Sequence, residues 1–186
     1  MTAIRSTDLE RFLLNDGRDP LTGLYSRQFL EDLLPREISR AQRHGNAVGL
    51  AALDLDAPAR NQRSGWKPSD AELCDFGYLL QLRMRAEDVA CRVGARNFVL
   101  IMPGITSAVL PRRMIELRAT LERYYAEKTR RFRGGPVITL AIASFPEDGL
   151  TARGLMKTLR DALGRSRSTA GLAPASNPAV ETGRII

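Results

Sequence analysis

Two short stretches carry side chains able to do chemistry. The first is Arg85-Ala86-Glu87-Asp88. A guanidinium fork matches the O6 and N7 acceptors on one edge of a guanine. A carboxylate can accept from the N1–H and N2–H donors of the same base. Arg85 and Asp88, expected at a helix-to-strand turn, could divide those edges between them. The competing reading is an exposed ion pair that closes the turn, worth under about 1 kcal/mol. The second stretch is Leu53-Asp54-Leu55-Asp56, two carboxylates at the end of an apolar run. Such a pair can coordinate a divalent cation, and it can equally be a solvated turn. A hairpin tip, Gly94-Ala95-Arg96-Asn97, follows later in the chain and brings a cation rather than an acid.

The elements that must position these groups can be read from periodicity. A short lead-in helix is expected over residues 7–15, capped by Thr7, then a break at Asp16-Gly17-Arg18-Asp19-Pro20. A helix follows from about Ser26 to Arg43, with Phe29, Leu30, Leu33, Leu34 and Ile38 on one period. The apolar run from Ala47 to Leu53 reads as a strand buried on both faces. Residues 69–83 read as a helix whose apolar positions are Leu73, Phe76, Leu79, Leu80 and Leu82. Short strands are expected at 89–93 and 98–102, joined by the 94–97 hairpin. A basic helix lies within 106–131, with Pro111 tolerated in its first turn. A strand at 136–145 and a helix at 150–166 close the pattern. The order predicts an α/β (α+β) sandwich, a mostly antiparallel sheet flanked by helices. It gives a lead-in segment at 1–15, one domain at 16–167, and a mobile tail at 168–186 rich in Ala, Pro, Ser and Gly.

Composition narrows the classes. The chain has 186 residues, 44% of them apolar and 26% charged, enough for one domain with a substantial core. Cys74 and Cys91 read as two buried, reduced thiols. One His and two separated Cys argue against a zinc site. Net charge is +7, so polyanions are plausible partners. The cations are scattered and aromatics are few, which argues against nucleic acid. No apolar leader and no membrane-length run is present, so a cytoplasmic chain is expected.

The motifs and their order resemble the GGDEF family of diguanylate cyclases. Asp19-Pro20-Leu21-Thr22-Gly23-Leu24-Tyr25-Ser26-Arg27-Gln28-Phe29 looks like the family's opening Asp-x-Leu-Thr-Gly-Leu-x-Asn-Arg-x-x-Phe. Leu53-Asp54-Leu55-Asp56 looks like its metal-binding strand end. Phe98–Pro103, Ile138–Ala143 and Asp161-Ala162-Leu163 fit its later elements. The resemblance covers about 16–171 and implies a fold akin to the palm of nucleotidyl cyclases and polymerases.

The signature itself departs. Gly-Gly-Asp/Glu-Glu-Phe falls on Gly94-Ala95-Arg96-Asn97-Phe98. In an active member the third letter is acidic and, with the strand-end Asp, holds magnesium ions on the attacking hydroxyl and the triphosphate. Arg96 puts a cation where a cation must bind. Ala95 adds a methyl group where backbone approaches phosphate. The phosphate-contacting Lys after the strand is missing, replaced within Ala57-Pro58-Ala59-Arg60-Asn61. Gly164 stands where Tyr is usual, and Arg167 near the usual phosphate Lys. Asn61 and Asp70 align with the family's guanine-reading Asn and Asp. Asp54, Asp56, Gly94, Ala95, Arg96 and Asn97 are therefore read as a vestigial catalytic site, with no metal and no cofactor expected.

Arg85-Ala86-Glu87-Asp88, by contrast, keeps the family's Arg-x-x-Asp inhibition site at the usual distance before the hairpin. The resemblance implies a bacterial receptor for cyclic di-GMP, with Arg83, Arg92, Arg112, Arg113 and Arg118 as further candidate contacts. It implies control of an unidentified regulatory protein and ligand-linked dimerisation. The alternatives are an interaction module with no ligand and, less favoured, an active cyclase.

Overall fold

The computed structural model describes residues 17–57, 66–128 and 136–170, with side chains to residue 166. The expected lead-in helix, Asn61, the Arg167 side chain and the tail from 171 lie outside these residues. The elements, in chain order, are β1 (Tyr25–Ser26), α1 (Arg27–His44), β2 (Val48–Asp56), α2 (Asp70–Arg83), β3 (Val89–Arg92), β4 (Asn97–Pro103), α3 (Leu110–Lys128), β5 (Val137–Phe145) and α4 (Ala152–Ala170). The five strands form one sheet in the order β1-β3-β4-β2-β5. Three pairings are antiparallel, and β1 joins β3 in parallel.

Local chemistry sets the helix ends. The Ser26 hydroxyl accepts from the backbone N–H of Phe29, and Gly45 closes α1 at φ +65°, where a Cβ would be strained. Ser69 and Glu72 form a reciprocal capping box at the start of α2. β2 is buried along nearly its whole length because helices cover both faces of the sheet. Leu53 and Leu55 face α2 and α3, beside Phe76, Phe98 and Leu121. Leu50 and Ala52 face α1 and α4, beside Leu30, Leu34 and Leu159. Each buried Leu or Phe side chain contributes roughly 1.5–3 kcal/mol.

Some expectations change. β1 is too short to show a period, so no local pattern marks it. The expected strand at 47–53 runs on to Asp56, because β5 pairs with it through Asp56↔Val137. α4 continues to Ala170, past the expected tail boundary at 168. Of the apolar positions of α2, Leu82 is 58% exposed. It stands on the α2 face opposite Phe76 and Leu80. Cys91 is buried, and burial pushes its thiol up to about 12. Cys74, expected to be buried, is exposed and donates to the Leu21 carbonyl.

Candidate functional site

The hairpin between β3 and β4 folds its tip against the end of β2. Asp54 lies opposite Asn97 in the ladder, and the N–H of Leu55 donates to the Arg96 carbonyl at 3.1 Å. That register puts the Arg96 side chain over both aspartates. Its Nε lies 3.3 Å from Asp54 Oδ1 and its Nη1 lies 3.0 Å from Asp56 Oδ1. Nη1 also approaches the Leu55 carbonyl, and Thr139 Oγ1 donates to Asp56 Oδ2 at 2.6 Å. The Asp54 side chain is wholly buried. A carboxylate in that setting requires a counter-charge, and Arg96 brings one from within the chain. Among the described residues, no group of three or more His, Cys, Asp or Glu side chains could hold a metal ion.

Gly94 has a steric role at this tip. A Cβ there would stand 2.9 Å from the Asn97 Oδ1. Behind the tip, Arg92 clamps the hairpin to the opening turn. Its Nη1 donates to Asp19 Oδ1 and Oδ2 at 3.1 and 3.3 Å. Its Nε and Nη2 donate to the carbonyls of Gly94 and Ala95. Asp19 Oδ1 also accepts from the N–H and hydroxyl of Thr22. Burial raises the Asp19 carboxyl, but the Thr22 and Arg92 hydrogen bonds outweigh it and hold the group below its ordinary value.

The second cluster lies at the turn from α2 to β3. Asp88 Oδ2 accepts from the backbone N–H of Arg85 at 2.9 Å, and the Asp88 N–H donates back to the Arg85 carbonyl. Arg113, in the first turns of α3, pairs with the same Oδ2. The Asp88 side chain is wholly buried, and Arg113 nearly so. Asp88 Oδ1 and Arg113 Nη1 are buried with no hydrogen-bond partner among the described residues. The Arg85 guanidinium turns outward, 4.0 Å from Glu87, and does not pair with Asp88. The ion pair anticipated between Arg85 and Asp88 is thus replaced by a backbone contact and a pair to Arg113. A cavity of about 380 Å³ opens here. Arg83, Arg85, Arg113 and Glu116 line it with charge, and Met84 and Leu117 line it with apolar surface.

The other candidate cations are placed elsewhere. Arg92 is held in the Asp19 clamp and does not line the cavity. Arg112 and Arg118 pair with Glu116 and Glu122 one turn along α3. Neither lines the cavity, because Arg113 alone of the three projects toward the α2–β3 turn. Asp70 is an exposed first residue of α2. Sequence reasoning misses Glu116; its spacing of three from Arg113 on a helix is the available signal. The Arg92–Asp19 clamp joins residues 73 apart, and no local pattern reveals it.

The described residues form a mixed α/β domain in which a helix-flanked sheet sets a β-hairpin tip against a strand-end Asp-x-Asp. The profile described as "Diguanylate cyclase, GGDEF domain" matches residues 17–171. The chain belongs to that family. It is 38% identical to the diguanylate cyclase DgcS of Shewanella oneidensis over 87 residues, covering 46% of this chain and 29% of the relative. It is 28% identical to an uncharacterized signaling protein of Caulobacter vibrioides, covering 81% of this chain and 19% of the relative. A solved sensory box/GGDEF family protein from Caulobacter crescentus superposes with a TM-score of 0.66 at 27% identity, covering 82% of this chain and 99% of that one. The chain spans less than a third of the length of these curated relatives. Among the described residues, no helix is long and apolar enough to cross a membrane.

Proposed function

We propose that this domain is a catalytically silent receptor for cyclic di-GMP, held at the α2–β3 turn. The observation that carries the reading is a pair of orphaned atoms. Asp88 Oδ1 and Arg113 Nη1 are buried and, among the described residues, have no hydrogen-bond partner, and Arg113, which pairs with Asp88, lines an open, arginine-rich cavity. An unsatisfied buried polar group costs about 1–3 kcal/mol, more when charged. A ligand with donors for the carboxylate and acceptors for the guanidinium relieves both. A guanine edge offers that combination. Arg85, exposed and held at its head group only by the long contact to Glu87 among the described residues, can close over the base. Arg83 adds a cation for phosphate.

Silence follows from Arg96. The family resemblance implies magnesium ions at the strand end, and the residues present do not fit them. A guanidinium already spans the Asp54 and Asp56 carboxylates. In this reading the occupied receptor signals to a partner protein, and the ligand, which carries two guanines, links two copies of the domain. Calorimetry with cyclic di-GMP tests the site. Binding that Arg85→Ala weakens at least ~10-fold is expected, and unchanged affinity in that variant contradicts the site. Incubation with magnesium and GTP, followed by product chromatography, tests the silence. Sustained turnover would contradict it. No thermal shift with either nucleotide would favour a module that works through protein contacts alone.

A further inference from the structure

We infer that the charge balance of the α2–β3 cavity selects purine ligands carrying one phosphodiester charge per base against guanosine polyphosphates, with Glu116 as the discriminating residue; this inference rests on the receptor reading above. Arg83, Arg85, Arg113 and Glu116 line the cavity, and Asp88 enters the count through its ion pair with Arg113, so three guanidinium groups meet two carboxylates. One net positive charge remains. Two further charges stand just outside and cancel: Arg112, 2.9 Å from Glu116, and Glu87, 4.0 Å from Arg85. A base with a single phosphodiester matches that count. A guanosine 5′-triphosphate offers the same base edges with several charges on one side.

Arginine alone cannot make this choice. A cavity holding only guanidinium groups would favour the more highly charged nucleotide, since attraction grows with ligand charge. Glu116 adds the repulsive element on which specificity against a competitor depends. It sits one helical turn beyond Arg113, so it faces the same space as the cation that pairs with Asp88. Its other neighbour, Arg112, partly neutralises it. The two residues therefore act with opposite sign. Removing the Glu116 charge relaxes discrimination, and removing the Arg112 charge sharpens it. Both are exposed, so neither change threatens the fold.

The test is displacement of bound cyclic di-GMP by GTP from the intact chain, so that only this cavity is read. In Glu116→Gln, GTP should compete about tenfold better while cyclic di-GMP itself tightens less than about threefold. In Arg112→Gln, GTP should compete about threefold worse. Raising the salt concentration should shrink both effects. The inference is overturned if Glu116→Gln shifts both ligands by one factor, if GTP competes no better in that variant than in the wild-type chain, or if Arg112→Gln improves GTP. Failure of the wild-type chain to bind cyclic di-GMP overturns the receptor reading. Binding with an unmoved ligand ratio overturns only the role of Glu116.

Discussion

The hairpin tip and the α2–β3 turn use the same residue types to opposite ends. At the tip, one arginine spans two aspartates, and the backbone hydrogen bond from Leu55 to Arg96 locks the tip to the strand. At the turn, one aspartate and one arginine share a single oxygen, and one polar atom of each is left over among the described residues. The first cluster sets one guanidinium against two carboxylates, with Asp56 also held by the Thr139 hydroxyl. The second, in the proposed reading, is a recognition surface that a ligand completes. The difference lies in geometry, since both contain buried carboxylates and guanidinium groups. The turn lines a cavity of about 380 Å³ with Arg83, Arg85 and Arg113, and in the proposed reading that opening is what admits a ligand.

Breaking the unfinished site should have the largest effect. Asp88→Asn removes the charge that holds Arg113, and cyclic di-GMP affinity should fall at least ~100-fold by calorimetry, as for a buried charge left unpaired at about 3 kcal/mol. Arg85→Ala should cost about 10–100-fold, from the loss of one bidentate contact worth about 1–3 kcal/mol. Its melting temperature should stay unchanged, because the guanidinium meets only an exposed glutamate among the described residues.

Breaking the hairpin-tip cluster should move stability and leave binding alone. Arg96→Ala should lower unfolding free energy by about 2 kcal/mol in urea melts, less than a fully buried pair because Arg96 is partly exposed. Cyclic di-GMP affinity should not follow. The smallest effect concerns pH. The folded-state Asp19 carboxyl lies below its ordinary value of 3.8. Its stabilising contribution is therefore present above that value and fades as pH falls through the folded value. Asp19→Asn should be less stable than wild type at neutral pH, and the gap should narrow in acid, as read by melting curves at stepped pH.

Much of the frame was legible in the sequence. Leu30, Leu34 and Ile38 repeat on a helical period, and the apolar run into Asp54 marks the central strand. Among the described residues, those patterns place four helices, four of the five strands and the hairpin. β1 was not legible, since two residues carry no period and their pairing with Cys91 and Arg92 is set by the tertiary fold. Arg85 and Asp88 were legible as a spacing, and Arg96 as a charge in the wrong place. The partners that decide their roles were not. Asp88 meets Arg113 across 25 residues, Arg96 at the hairpin tip meets Asp54 on the neighbouring strand β2, and Arg92 meets Asp19 across 73 residues. Burial removes the solvent that would otherwise keep these pairs loose, and burial appears only once both sheet faces are covered.

The comparison of the two clusters is tested most directly by mapping amide chemical shifts as cyclic di-GMP is titrated into the isotopically labelled chain. The account predicts shifts centred on Arg85, Asp88 and Arg113, with Asp54, Asp56 and Arg96 unmoved. Shifts centred on the hairpin tip, with the α2–β3 turn silent, would contradict it.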